Sequence, residues 1–155
     1  MAAISAPFHG LKTKFYVDTS AIALGSVTAS ELVGECQSIG DVDLQANIIE
    51  YNKYGTTYKS KLVGQKDSGT LDITLNWVPD SATEANQALL KTHYDSGAKI
   101  YCGIIWEDAN GNQAGATFSG FVASFAVSQP VEDVVSAAVS IAVDGAVTLD
   151  TDGTL

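Results

Sequence analysis

Along most of the chain, apolar and polar residues trade places at every second position, the period of a strand half-buried on a sheet. In the run from Gly69 to Pro79, Leu71, Ile73, Leu75 and Trp77 share one face, and Asp72, Thr74 and Asn76 share the other. Pro79 lacks a backbone donor and is expected to close that strand. Residues 135–143 repeat the pattern through Val135, Ala137, Val139, Ile141 and Val143. Residues 100–106 are apolar on both faces and predict a central strand. The Asn110-Gly111 pair that follows suits the positive φ angles of a tight hairpin turn. Residues 114–127 then predict the return strand, with Phe118, Val122 and Ala126 on one face and Phe121, Ala123 and Phe125 on the other. Residues 12–17 and 38–49 predict two more strands. The second sets Ile39, Asp41, Asp43 and Gln45 against Val42, Leu44 and Ile48, until Ile48-Ile49 breaks the alternation.

One segment changes period. Ser81-Ala82-Thr83-Glu84 reads as a capping box, in which a side-chain oxygen and a carboxylate satisfy the first free helical donors. The helix it opens carries a stripe of Ala85, Ala88, Leu89 and Thr92, broadened by Leu90 and Tyr94, and Gly97 suits a left-handed stop. One helix among about seven strands predicts a mainly β fold: two packed antiparallel β-sheets, as a sandwich or barrel, with one flanking α-helix. At 155 residues the chain is expected to form a single domain over 1–155. Residues 50–68 show neither period and predict a long loop, a length that in a compact domain usually serves function. Residues 144–155 read as a short tail that frays unless something holds it.

Charge sharpens this picture. The net charge is −10, and all the positive charge is lysine. Residues 1–99 hold all eight lysines and eleven acids, whereas residues 100–155 hold seven acids and no lysine. A surface built from the second part must be acidic. Without arginine, and with this balance, specific nucleic-acid readout is not expected. No N-terminal stretch pairs a charged region with an apolar run, and no apolar run approaches the ~20 residues that span a bilayer, so a soluble protein with no membrane partner is expected. Cys36 and Cys102 are expected to be separate reduced thiols.

Candidate chemistry is sparse. His9 and His93 lack a ligand pattern and read as surface or interface residues. No nucleotide-binding, zinc-protease or serine-hydrolase motif occurs. Asp108, Asn110 and Asn112 match the first positions of a calcium loop, but Gln113 stands where its glycine belongs and Ser119 where its bidentate glutamate belongs. The hairpin reading is better, and Asp150-Thr151-Asp152-Gly153 begins the same motif too near the chain end to close it. No enzyme, cofactor or metal site is expected.

Residues 50–61 remain. They gather Tyr51, Tyr54 and Tyr58 with Lys53, Lys59 and Lys61, and Lys66 follows closely. Such a segment fits a stacking platform for sugars or bases, a solvated loop, or a protein interface, where tyrosine buries area and keeps its hydroxyl satisfied. Its charge bias is opposite to that of residues 100–155.

The ordered series Gly64-Gln65-Lys66, Trp77-Val78-Pro79, Gln87-Ala88-Leu89-Leu90 and Lys99-Ile100-Tyr101, with the later strands of residues 118–145, resembles the major tail tube proteins of long-tailed phages. The resemblance covers roughly residues 60–145. It implies a structural virion protein with a tail-tube fold of two packed sheets and a helix. It implies hexameric rings that stack head-to-tail into a hollow conduit for DNA ejection, assembled in the bacterial host cytoplasm. Implied partners are other copies of the chain, a tail tip or initiator, tape measure and terminator proteins, and genomic DNA that passes without specific binding. An additional C-terminal immunoglobulin-like domain, present in the lambda protein, is not expected. On this reading Tyr51, Lys53, Tyr54, Tyr58, Lys59, Lys61 and Lys66 are subunit-interface candidates. Asp41, Asp43, Asp72, Glu132 and Asp133 are candidates to face an acidic, non-sticking lumen. The alternative is a secreted β-sandwich binding module that uses Tyr51, Tyr54 and Tyr58 on a carbohydrate or as an adhesin.

Overall fold

A computed structural model describes Pro7, residues 9–78 and residues 84–150. Nine strands and one helix follow in the order β1 (His9–Asp18), β2 (Cys36–Ile39), β3 (Gln45–Tyr51), β4 (Ser60–Asp67), β5 (Thr70–Asn76), α1 (Ala85–Ser96), β6 (Ile100–Glu107), β7 (Gln113–Ser128), β8 (Ser136–Val143) and β9 (Thr148–Leu149). The main sheet runs β1-β6-β7-β8-β5-β2 and is antiparallel throughout, with β9 also on β7. Its two outer edges meet where Tyr16 bridges Leu32 and the Val33 amide donates to the Phe15 carbonyl at 2.9 Å, so the sheet curls into a nearly closed barrel. β3 and β4 form a separate two-stranded ribbon.

Alternation puts Leu71, Ile73 and Leu75 of β5 beside Ala137, Val139 and Ile141 of β8 inside the barrel. β6 is central, between β1 and β7, and its outer side is also covered. Leu24 sits over Gly103 and Gly115, where an added Cβ would come within 3.0 Å and 2.9 Å of its methyl carbons. The hairpin at Asp108–Asn112 forms as expected: Gly111 takes φ +85°, and the buried Asp108 carboxylate accepts from the Asn110 and Asn112 amides, both at 2.8 Å.

Five expectations are corrected. The 38–49 strand is two strands: β2 stops at Ile39, the Gly40 amide turns onto the Asp72 carbonyl at 2.6 Å, and β3 begins only at Gln45. Asp41 and Asp43 therefore lie in a connection rather than on a strand face. The expected loop 50–68 is largely strand, with β4 carrying Gly64-Gln65-Lys66 across a register shift and only residues 52–59 joining the two strands. Its pattern looked aperiodic because both faces are exposed and neither needs to be apolar. In β7, the register against β8 shifts between Val122 and Ser124. The extra residue, Ala123, flips the faces: Phe125 turns inward opposite Val139, with its ring edge-on to Trp77 at 5.3 Å, and Ala126 turns outward.

The helix also presents a different face. Gln87, Leu90 and His93 are buried, while Ala85 and Thr92 are exposed. Gln87 lies inward because its amide is fully used: Oε1 accepts from the Val78 amide at 3.0 Å, and Nε2 donates to the Gly34 and Asn76 carbonyls at 3.1 and 3.0 Å. His93 is buried rather than a surface residue, with Nδ1 3.2 Å from the Ala98 carbonyl. Gly97 ends the helix at φ +68°, as predicted. The expected strand end at Pro79 and the residues Ser81, Ala82 and Thr83 of the capping box lie outside the described residues. The tail is held as far as Asp150, whose amide donates to the Gly115 carbonyl at 2.8 Å.

Candidate assembly surface

The β3–β4 ribbon leaves the barrel where β4 hands over to β5, and every residue of β3 is exposed. In an antiparallel pair, partners across the register share a face. Ile48 with Val63 and Glu50 with Lys61 lie on one face; Ile49 with Leu62 and Tyr51 with Ser60 lie on the other. Each face thus carries an aliphatic pair in water, about half exposed at Ile48 and Ile49 and more so at Leu62 and Val63. A lone two-stranded hairpin is marginal at best, and the described residues of the chain leave this one uncovered.

Six of the sequence-predicted interface residues meet at or near its tip. Tyr54 and Tyr58 are almost wholly exposed, and the Thr56 hydroxyl closes the tip by donating to the Lys53 carbonyl at 3.0 Å, while Gly55 takes φ +80°. Lys59 and Lys61 share Glu50, at 3.6 and 3.2 Å. Lys66 sits apart at the ribbon base opposite Ala46. Residues 51–66 hold four lysines and no acid, so the tip is aromatic and basic. Ile48, Ile49, Leu62 and Val63 belong to the same surface but were not singled out from sequence; adjacent apolar pairs without a period were their only signal.

The acids are arranged differently. Asp72 points outward from β5, where the Ser140 hydroxyl donates to its carboxylate. Asp41 and Asp43 lie beside it along a shallow cleft of about 470 Å³ with Gly40, Val42 and Thr70. These three come together. Glu132 and Asp133 do not join them; they sit in the exposed turn between β7 and β8, beyond the far end of β5. The outer face of β5, β8 and β7 carries many small and polar side chains, including Asp72, Thr74, Ala138, Ser140 and Ser124, with Phe121 of β7 exposed among them, and these strands contain no lysine.

Both cysteines are free thiols. Burial, then the nearby Glu84 carboxylate, pushes Cys36 up to about 11, and burial raises Cys102 further. Among the described residues no cluster of metal-ligating side chains occurs, and no helix is long and apolar enough to cross a membrane.

Solved chains of tail tubes and injection systems share this overall fold. The chain is similar to the SPP1 tail tube (17% identity, 95% of this chain and 82% of that one, TM-score 0.65). It is similar to the sheath/tube terminator of the extracellular contractile injection system PVC (17% identity, 96% and 100%, TM-score 0.68). It is also similar to a chain in the tail of a gene transfer agent particle (11% identity, 92% and 98%, TM-score 0.63). No curated protein matches by sequence. Residues 39–150 match the family described as lambda phage tail tube protein, well over half of the chain. The chain belongs to that family. It is a structural tail tube protein of the virion tail and not an enzyme.

Proposed function

We propose that the chain forms hexameric rings that stack head-to-tail into a hollow conduit for DNA ejection, growing from a tail tip or initiator and ending at a terminator. The observation that carries this reading is the ribbon, a detached pair of strands with exposed aliphatic pairs on both faces. Ring closure and stacking are heterologous contacts, in which one patch meets a different patch on the next copy. The ribbon supplies a patch that none of the described residues covers, and Tyr51, Lys53, Tyr54, Tyr58, Lys59, Lys61 and Lys66 are its contact residues.

The lysine-free outer face of β5, β8 and β7 faces the lumen. DNA carries one negative charge per ~1.7 Å of axis, and a wall of neutral and acidic side chains offers that polyanion no counter-charge. Asp72 lies on this face and Asp41 and Asp43 at its border; Glu132 and Asp133 stand at the turn beyond it. The tape measure and then the genome pass along this wall unbound, and the tube assembles in the host cytoplasm. Family membership stands against the secreted binding module.

Electron microscopy of concentrated protein tests the reading. Wild type is expected to give rings or tubes about one hexamer across, and a chain lacking residues 51–60 is expected to stay soluble and unassembled. Normal tubes from the deleted chain would remove the ribbon from the account. A tube with a neutral or basic channel would remove the acidic lumen.

A further inference from the structure

We infer that the turn between β7 and β8, residues 129–135, is the seat that receives the ribbon tip of a second copy. This rests on the tube-subunit reading and names the receiving surface. The two features occupy opposite ends of the barrel. The ribbon departs next to Thr70, which pairs with Ala142; the turn joins Ser128 to Ser136, which pairs with Asn76 at the other end of β5. Seven residues of strand separate them, about 20 Å along the axis. A contact between opposite ends of identical copies propagates rather than closing on itself.

The chemistry of the two surfaces matches. In Pro130-Val131-Glu132-Asp133-Val134-Val135 two carboxylates stand between valines, of which Val131 is 101% and Val134 57% exposed. Among the described residues neither Glu132 nor Asp133 has a cationic partner, and no lysine follows residue 99. The ribbon tip offers the complement: Lys53, together with Lys59 at 3.6 Å from the half-exposed Glu50, beside the exposed rings of Tyr54 and Tyr58. Ion pairs at the rim give register, and valine against tyrosine gives buried area.

The seat is also held firmly. The Trp77 amide donates to the Val135 carbonyl at 2.9 Å, and the Val134 amide to Asp133 Oδ1 at 2.8 Å. Trp77 is in turn packed edge-on against Phe125. A preformed seat loses less freedom on docking.

The test is charge reversal with rescue, read by sedimentation and electron microscopy, with circular dichroism melts confirming that each variant is folded. Glu132→Lys with Asp133→Lys, and separately Lys53→Glu with Lys59→Glu, are each expected to lower the sedimenting tube fraction about tenfold or more, because like charges then face each other. A chain carrying all four changes is expected to recover tubes. If wild type forms tubes and the turn reversal leaves them normal, or the fourfold chain fails to recover, the seat lies elsewhere while the tube reading stands. If wild type gives no tubes even on added preformed ends, the tube reading falls and this inference with it.

Discussion

Replacing Gln87 with Met isolates the polar contact that ties the helix to the end of the barrel bearing the acidic turn. Gln87 is fully buried and uses its whole amide: one acceptor for the Val78 amide and two donors for the Gly34 and Asn76 carbonyls. Methionine keeps the length and loses all three bonds. Each such bond contributes roughly 1 kcal/mol net, and a buried donor left without a partner costs about 1–3 kcal/mol. Val78 contributes a donor, which tolerates desertion less well than the two carbonyls. The apolar gain of the thioether offsets only part of this, so the expected loss is about 2–4 kcal/mol. For a chain of this size each kcal/mol moves the midpoint by about 2–4 °C, which puts the drop at roughly 4–16 °C. Urea unfolding gives the free energy directly, and the exposed Gln45→Ala serves as control, expected within about 0.5 kcal/mol of wild type. A Gln87→Met chain no less stable than that control would show that the helix is held by Leu90 and its neighbours alone.

Two other outcomes follow from the same geometry. The Asp108 carboxyl is held below its usual range, first by its bond from the Asn112 side chain and then by the backbone amides of Asn112, Asn110 and Gly111, against an opposing burial effect. A lowered folded value means stability that is present above the unfolded carboxylate value and lost as pH falls through the folded one. Asp108→Asn is therefore expected to be less stable than wild type at pH 7, with the gap closing as pH falls below the ordinary carboxylate range, as urea unfolding at pH 7 and below that range would show; a gap independent of pH would refute the charge argument. Cys36, raised to about 11 from an ordinary 9.0, holds about a hundredth of the usual thiolate at pH 8, so its alkylation in the folded chain should be roughly a hundredfold slower than in the unfolded one. Equal rates in mass-spectrometric labelling would show that the thiol is open to solvent.

The barrel was legible in the sequence wherever one face is buried and the other wet. β5, β8 and most of β7 announce themselves because Leu71, Ile73, Leu75, Val139 and Ile141 alternate with polar neighbours, and Gly97 and Gly111 mark the points where the backbone must reverse. Legibility failed where that one-sided burial fails. The ribbon has no dry face, so Ile48-Ile49 and Leu62-Val63 looked like noise. Ala123 inserts one residue and moves Phe125 to the inside, which no fixed period can report. Gln87 is polar and falls outside the apolar stripe the sequence offers, although three backbone groups from two other segments await it. His93 was misplaced for the same reason. The interface candidates were recognisable by composition alone; that they ride on a paired ribbon was not.

That pairing changes how assembly is controlled. A nineteen-residue loop over 50–68 would impose a large ordering cost on every subunit added, at roughly 1–2 kcal/mol per residue. Only residues 52–59 lie between the two strands, so less than half of that cost remains to oppose growth. Restraint must then come from polarity. Two ribbons brought together set lysine against lysine, and two turns brought together set Glu132 and Asp133 against their counterparts. On the proposed seat, ribbon against turn joins opposite charges, so each end would select the other and reject its like. Such contacts weaken as salt shortens the screening distance, to about 3 Å at 1 M, while the aliphatic pairs of the ribbon lose nothing. High salt should therefore erode the direction of growth before it erodes adhesion, turning ordered tubes into irregular aggregates rather than free subunits.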